Sequence, residues 1–437
     1  MIVLSNQAML EVDQRTIAQG TPSEVLMARA AQGVVDHLMA RFPAWAQERV
    51  TVVCGKGNNG GDGLIVARLL KQAGVATSLW PEAAQPTIVV DAVLGMGLKG
   101  PARGEPLEQI RWINRARQAG AKVVAVDVPS GLGSDGEFVT ADFTITFAAL
   151  KPVHVLPPWC EACGEVIVAD IGTLPCSSDL HLLAPPVLPP RARNSHKGDF
   201  GHVLVVGGAP GKTGAAQMTG LAALRAGAGL VTVTCSLTAV PELMTCPLAE
   251  PLPVEGKTIL AVGPGLGLEH TELVRHLYAT SPLPLVIDAD GLNSLAGWTL
   301  PVPPAPRILT PHPGEFRRLR PEAALDGEAR VDHAREFAQS HQVTLVLKGF
   351  RTLIAHPDGQ VHINPTGSPA MAKAGSGDIL TGLIAGLYAQ QASPESVHAA
   401  VWLHGRCGEL GAAHWTDRCL LATDLLNFLP QAIRSAQ

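Results

Sequence analysis

The sequence predicts an α/β protein built as two three-layer sandwiches, the first of them Rossmann-like. Three observations lead there. Short β-rich runs alternate with helical spacing, and many end in a glycine turn or an acid. Hydrophobic residues make up 46% of the 437 and charged ones 16%, with 45 Gly and 35 Pro, which suits compact, glycine-turned domains and argues against disorder. The length calls for two or three domains at roughly 150 residues each. A stretch with Pro175, Pro185, Pro186, Pro189 and Pro190 reads as a stiff linker and divides the chain into residues 1–190 and 191–437.

The same features exclude some classes. A net charge of −5 with no Lys/Arg run gives no support for nucleic-acid binding. No basic segment followed by a long apolar run marks a signal peptide, and no apolar run reaches the ~18 residues of a membrane span, so a cytoplasmic protein is expected. Cys160 and Cys163 form a CxxC with Cys176 nearby, but no second CxxC completes a zinc set. They are expected to be incidental thiols in a reducing compartment.

Helical spacing opens the first half, with Val12, Ile17, Val25, Leu26, Val34, Val35 and Leu38 on period. Thr21-Pro22-Ser23-Glu24 predicts a helix start capped by Thr21. A strand over residues 50–54 runs into Gly55-Lys56-Gly57-Asn58-Asn59-Gly60-Gly61-Asp62-Gly63, and a helix is expected over 64–72. Five glycines with two amides and an acid suit a phosphate-binding loop, although Asn58-Asn59 interrupts the usual GxGxxG. Strands are predicted at 76–80, 88–90, 123–126, 143–146 and 166–169. Asp91 and Asp127 follow two of them, and Ser130 lies just beyond. In a doubly wound sheet, ligands bind beyond the carboxyl ends of the strands. Asn59, Asp91, Asp127 and Ser130 therefore project toward one crevice, where hard oxygen ligands suit an alkali or alkaline-earth cation.

The second half has strands predicted at 202–206, 230–234, 259–262, 285–287, 308–309 and 343–347, with a hairpin over 351–355 and 361–364. A small-residue helix is expected over 215–228. Gly211-Lys212-Thr213 is not a P-loop, because the first glycine of that motif would fall on Val206. His312 lies between two prolines that preset its backbone, and Lys348 ends a strand; each is either structural or a ligand contact. Lys373-Ala374-Gly375-Ser376-Gly377-Asp378 leads into an apolar helix. The N–H groups of its first turn can hold a phosphate. A carboxylate there is either part of a capped helix start or a base that takes a proton from a hydroxyl attacking the phosphate.

These motifs, taken in order, resemble a known family. Ala374-Gly375-Ser376-Gly377-Asp378 resembles the ribokinase-like fold. Asn194 to Gly201, Gly263 to Gly267, Thr310 to Glu315 and Asn364 to Gly367 look like NAD(P)H-hydrate dehydratases. Asn58 to Gly63, Asp91 to Gly97 and Asp127 to Gly131 look like the matching epimerases. The resemblance covers nearly the whole chain and implies a ribokinase-like three-layer sandwich for the second half. It implies repair of reduced nicotinamide nucleotides that have added water: epimerisation of the R and S hydrates in the first domain and ADP-dependent dehydration of the S hydrate in the second. By the same resemblance, Asn58, Asn59, Gly60, Gly61, Asp62, Gly95, Met96, Gly97, Leu98, Lys99, Gly100, Pro101 and Asp127 contact the hydrate in the first domain. Asn59, Asp91 and Ser130 hold K+. Ala215, Gly265, His312 and Asp378 contact the hydrate in the second domain. Lys348, Gly349, Phe350, Arg351, Thr352 and Gly377 hold the nucleotide, with Mg2+ as a further cofactor. Asp378 is the expected base and Asp127 the expected proton-transfer group of the epimerase. A homo-oligomer is expected.

Two segments depart from the family pattern. Met27-Ala28-Arg29-Ala30-Ala31 stands where a Met-Glu-Asn-Ala-Gly-like stretch is expected, and Phe350-Arg351 replace smaller residues. Two rival readings share some of the motifs. One is a ribokinase-like vitamin or sugar-alcohol kinase; the other is a nucleotide-binding sensor formed by the first domain.

Overall fold

The computed structural model describes residues 1–436 apart from 83, 84, 99, 237 and 250, so Lys99 lies outside the described residues. The chain divides into two compact units, Met1–Ser178 and Asp179–Gln437. This division falls upstream of residue 190, because the short strand Leu180–Leu182 pairs within the second unit.

The first unit runs α1 (Asn6–Ala18), α2 (Ser23–Arg41), β1 (Arg49–Cys54), α3 (Asn58–Gln72), β2 (Ala76–Leu79), β3 (Ile88–Ala92), α4 (Glu105–Gln118), β4 (Lys122–Val126), β5 (Phe143–Phe147), α5 (Pro152–Val155) and β6 (Glu165–Ala169). Its six strands are all parallel, in the order β2-β1-β3-β4-β5-β6. Parallel strands covered on both faces read as continuous apolar runs, which is why Val50, Val52, Val53, Ile88 to Val90 and Val123 to Val126 could be read as strands. One face packs against α2 and α3, the other against α4, giving three layers.

Two expectations are corrected here. Pro22, not Thr21, occupies the cap position of α2, and no side-chain cap bond forms there. Helix α3 begins at Asn58 rather than at residue 64, so most of the glycine-rich stretch is helical. The reason is close packing. A Cβ at Gly60 would stand 1.9 Å from Gly55 O, and one at Gly63 would stand 2.5 Å from Ala92 Cβ. These glycines let the helix start lie against the strand ends; they do not form an open loop.

The second unit runs β7 (Leu180–Leu182), β8 (His202–Val206), α6 (Thr213–Ala226), β9 (Leu230–Val233), β10 (Met244–Thr245), β11 (Ile259–Val262), α7 (Thr271–Thr280), β12 (Leu285–Ile287), α8 (Asp290–Leu295), β13 (Arg307–Leu309), α9 (Pro313–Leu319), α10 (Gly327–His341), β14 (Thr344–Leu347), β15 (Leu353–Ala355), β16 (Val361–Ile363), α11 (Ser376–Gln390), α12 (Pro394–Trp415) and α13 (Leu425–Ala436). The sheet order is β10-β9-β8-β11-β12-β13-β14-β15-β16-β7. It is parallel except for the β14-β15-β16 hairpin strands. One face carries Val203, Val205, Ala261, Val286 and Val346 against α6, α11, α12 and α13. The alternate residues Leu204, Leu260, Leu285 and Leu345 are equally buried, so the opposite face is covered as well.

Helix α11 reaches its place through glycine. A Cβ at Gly382 would stand 2.1 Å from Thr219 O and 2.6 Å from Ala222 Cβ, and one at Gly386 would stand 2.4 Å from Ala223 O. Backbone sits on backbone at the α6–α11 crossing. Gly382→Ala is therefore expected to destabilise the second unit by about 2 kcal/mol through overpacking. It is also expected to weaken the activity of whatever site α11 opens. Urea unfolding of the full chain checks the first outcome, and an unchanged midpoint would refute it.

Candidate active sites

In the first sheet the chain leaves β1 toward β2 on one side, and β3 lies on the other. Ligands bind at the carboxyl ends of the strands beside such a switch point. A cleft of about 1010 Å³ opens there, bordered by Asn58, Asn59, Asp62, Gly95, Met96, Gly97, Leu98 and Asp127. Gly60 and Gly61 lie behind them in α3, while Gly100 and Pro101 are exposed and outside the cleft lining.

Asp91 is fully buried within β3. Its Oδ2 accepts from Ser130 N at 2.7 Å, and its Oδ1 accepts from Ser130 Oγ at 2.5 Å and from Val93 N at 3.3 Å. All three donors are neutral, and burial pushes the carboxyl up to about 6. Asn59 Nδ2 donates to Leu94 O at 3.1 Å, and Ser130 Oγ lies 3.2 Å from the same carbonyl. Asn59 Oδ1 is buried with no hydrogen-bond partner. The structure thus brings Asn59, Asp91 and Ser130 together, with one oxygen left over.

Asp127 stands in the left-handed region, at φ 66°. Its Oδ1 accepts from Lys151 Nζ at 2.7 Å and Thr146 Oγ1 at 2.8 Å. Burial alone would raise this carboxyl; the Lys151 ammonium and the two hydrogen bonds outweigh it and hold Asp127 below the usual range. His154 Nδ1 accepts from Lys151 N at 3.0 Å, and its Nε2 lies 2.9 Å from Asp127 O, the geometry of a neutral Nε2–H ring. Burial, then the lysine charge, pushes its pKa down to about 4. Asp62 behaves oppositely. Burial, then the Asp127 charge, pushes it up to about 7, and its buried Oδ1 has no partner. Sequence reading missed Lys151: a single lysine before a proline carries no motif.

In the second unit, β12, β13 and β14 are sheet neighbours, so their carboxyl ends bring Asp288, His312 and Lys348 into one region. Lys348 Nζ donates to Asp288 Oδ1 at 2.7 Å and lies 3.9 Å from Glu315 Oε2. Asp288 also accepts from Thr381 Oγ1 at 2.9 Å and Ala289 N at 2.9 Å. Burial would raise Asp288; Lys348, Thr381 and the amide hold it below its ordinary value.

Gly377 and Asp378 lie in the first turn of α11, after Gly375 at φ 90°. A Cβ on Gly377 would stand 3.3 Å from both Asp288 Oδ2 and Lys348 Nζ, so the helix start rests on the ion pair. Burial, then the Asp288 charge, pushes Asp378 up to about 6, with Lys348 opposing. His312 caps α9 through Nδ1, which accepts from Gly314 N at 3.0 Å and Glu315 N at 3.3 Å, and its ring is half exposed. Ala215, at the start of α6, adjoins Gly265: a Cβ on the glycine would stand 3.2 Å from it. Residues 349–352 form a tight turn, closed by Thr352 Oγ1 donating to Gly349 O at 2.9 Å and braced by Arg330 Nη1 on Phe350 O at 3.1 Å. The Phe350 ring is 54% exposed. Sequence reading gave no role to Asp288 and Glu315, which flank Lys348, or to Thr381, which bonds Asp288.

Comparison with known proteins follows this division. A family model described as NAD(P)H-hydrate dehydratase matches residues 203–431, and the YjeF-related protein N-terminus model matches 23–84 and 76–153. The bifunctional NAD(P)H-hydrate repair enzyme Nnr of Moorella thermoacetica is 39% identical over 503 residues, covering 95% of this chain and 93% of that protein. The enzyme of the same name from Coxiella burnetii is 36% identical, covering 98% of each. The crystal structure of the ADP/ATP-dependent NAD(P)H-hydrate dehydratase from Bacillus subtilis, co-crystallized with ATP/Mg2+, is 36% identical. It covers 57% of this chain and 95% of that one, with a TM-score of 0.53. Two matched units in family order, and relatives alike from end to end, make this chain a member of the bifunctional NAD(P)H-hydrate repair enzyme family.

Proposed function

We propose that the chain repairs hydrated NADH and NADPH, equilibrating the R and S epimers in the first unit and dehydrating the S epimer with ADP in the second. The observation that carries this is the position of Asp378, a half-buried carboxyl at a helix start, beside a lysine-pinned Asp288.

Hydroxide is a poor leaving group. Asp378 takes the proton of the ring hydroxyl, whose oxygen attacks the terminal phosphorus of the nucleotide. Amides of the α11 start stabilise charge on the transferring phosphoryl. With AMP displaced from that phosphorus, phosphate then leaves the ring carbon with its C–O electron pair. The neighbouring ring carbon gives up a proton to the departing phosphate or solvent, which restores the double bond of the dihydronicotinamide. Lys348 and the turn formed by Gly349, Phe350, Arg351 and Thr352 hold the nucleotide, and Ala215, Gly265 and His312 meet the hydrate. Asp288 and Glu315, two carboxyls grouped around Lys348, would be the residues that hold Mg2+, leaving Asp378 free to act as the base. Magnesium usually bridges substrate phosphates with few protein ligands, and there it neutralises their charge.

In the epimerase cleft, Asp127 is kept ionised while Asp62, at about 7, is about half protonated near neutral pH, which puts a base and an acid in the lining of one cleft. Asp127 is the proton-transfer group. The unpartnered Asn59 Oδ1, with Asp91 and Ser130, fits K+, a cation that would steady the hydrate's phosphates. A cytoplasmic homo-oligomer is part of the same reading; no helix among the described residues is long and apolar enough to cross a membrane.

Asp378→Asn should lower ADP-dependent return of the dihydronicotinamide absorbance from hydrated NADH by at least about a hundredfold, with epimerisation unchanged. A small-molecule kinase would instead release a stable phosphorylated product. In the free enzyme Asp378 acts as a base with a pKa of about 6, so dehydratase kcat/KM should fall about tenfold per pH unit below that value. A flat profile down to pH ~5 would remove Asp378 from the proton-transfer step.

Asp62 makes a separate stability prediction. Its folded pKa of about 7 lies above the unfolded value of about 3.9. Its favourable contribution is complete below the unfolded value and is lost as pH rises through about 7. Asp62→Asn is therefore expected to stabilise the protein more at pH ~8 than at pH ~4.5. Equal urea midpoint shifts at the two pH values would contradict this.

A further inference from the structure

Four histidines from three separate stretches of the sequence meet at one edge of the second sheet. His181 and His362 are register partners on β7 and β16, with stacked rings 5.2 Å apart. Ile354 is the register partner of His362, and His356 lies two residues further along, so His356 shares that face. Helix α12 lays His398 over it, with ring centroids 4.1 Å from His362 and 5.0 Å from His356. This edge is remote from the dehydratase site. Ala355 pairs with Leu345 near the start of β14, whereas Lys348 follows its other end.

We propose that His356, His362 and His398 form a binding site for zinc or a similar divalent transition metal, tying α12 to the sheet. One nitrogen from each ring can be chosen so that all three lie within 4.8 Å of one another. Nε2 of His356 and Nε2 of His398 face each other at 2.8 Å. Two imidazole lone pairs cannot share that space without a cation or a proton between them. A metal ion can replace the proton. Tetrahedral zinc at ~2.0–2.1 Å from each nitrogen needs nitrogens roughly 3.3 Å apart, so the pair has only to open by about half an ångström. His356 Nδ1 lies 3.3 Å from Thr344 Oγ1, an oxygen that can fix the ring and leave Nε2 for the ion. Asp358 and Glu395 are exposed nearby and add negative potential. Solvent completes the set.

The test uses the full chain without a polyhistidine tag, stripped with a chelator and titrated with Co2+ and then Zn2+. About one Co2+ per chain with a tetrahedral visible spectrum, displaced by Zn2+, is the expected result. His362→Ala and His398→Ala should each weaken binding by at least about tenfold while dehydratase activity stays within about twofold of the parent. Zinc should raise the parent's melting temperature and leave the two variants unmoved. X-ray absorption on the zinc-loaded parent, which needs no variant, should show three imidazole nitrogens. Sulfur ligation, no stoichiometric binding, or binding indifferent to both substitutions would overturn the proposal.

Discussion

In each unit a lysine ammonium is held against an aspartate and sets the charge around which the neighbouring carboxyl titrates. Lys348 lies 2.7 Å from Asp288 in the second, and Lys151 lies 2.7 Å from Asp127 in the first. Taking such charges out of water costs several kcal/mol per ion, which the attraction offsets only with good geometry and further hydrogen bonds. Both pairs have them: Thr381 and the Ala289 amide complete Asp288, and Thr146 completes Asp127. With one carboxylate pinned in its charged form, a second acid nearby is held from ionising by burial and by repulsion. Asp378 rises to about 6 and Asp62 to about 7. Each unit thereby holds two neighbouring carboxyls of unequal acidity, the arrangement by which acid and base work can be divided near neutral pH.

Much of this was legible in the sequence, and the reasons are specific. Strands buried on both faces need apolar runs, so the residues of β1, β3, β4, β8, β11 and β12 stood out. Gly375 and Gly377 before Asp378 announced a helix start with its amides open. Asn59, Asp91, Asp127 and Ser130 were expected to project toward one crevice; Asn59 and Asp127 line it, while Asp91 and Ser130 meet Asn59 but are fully buried and outside its lining. Other features had no local signal. Lys151 carries no motif, and although Lys348 stood out at a strand end its partner did not, since the two lysines act through aspartates 24 and 60 residues away in the chain. The start of α3 was misread because a glycine run looks like a loop. Its cause, close approach to Gly55 and Ala92, exists only once the sheet has formed. The histidines at 181, 356, 362 and 398 share no motif; only strand register and the path of α12 join them.

Small residues also decide how firmly the pinned aspartate and its neighbour are held. Asp378 belongs to α11 and Asp288 to the end of β12, so their spacing depends on where α11 sits over the sheet. At Gly382 and Gly386 the helix touches the backbone of α6 with no side chain between. Gly377 meets the ion pair with no side chain between as well. A helix carried on long side chains could tilt or slide as rotamers change; one seated backbone to backbone has little such freedom. Proton transfer between groups about 3 Å apart tolerates errors of well under an ångström. The glycines that leave α11 without bulk at these contacts would therefore help to set the spacing of Asp378 and Asp288 on which the proposed dehydratase chemistry depends.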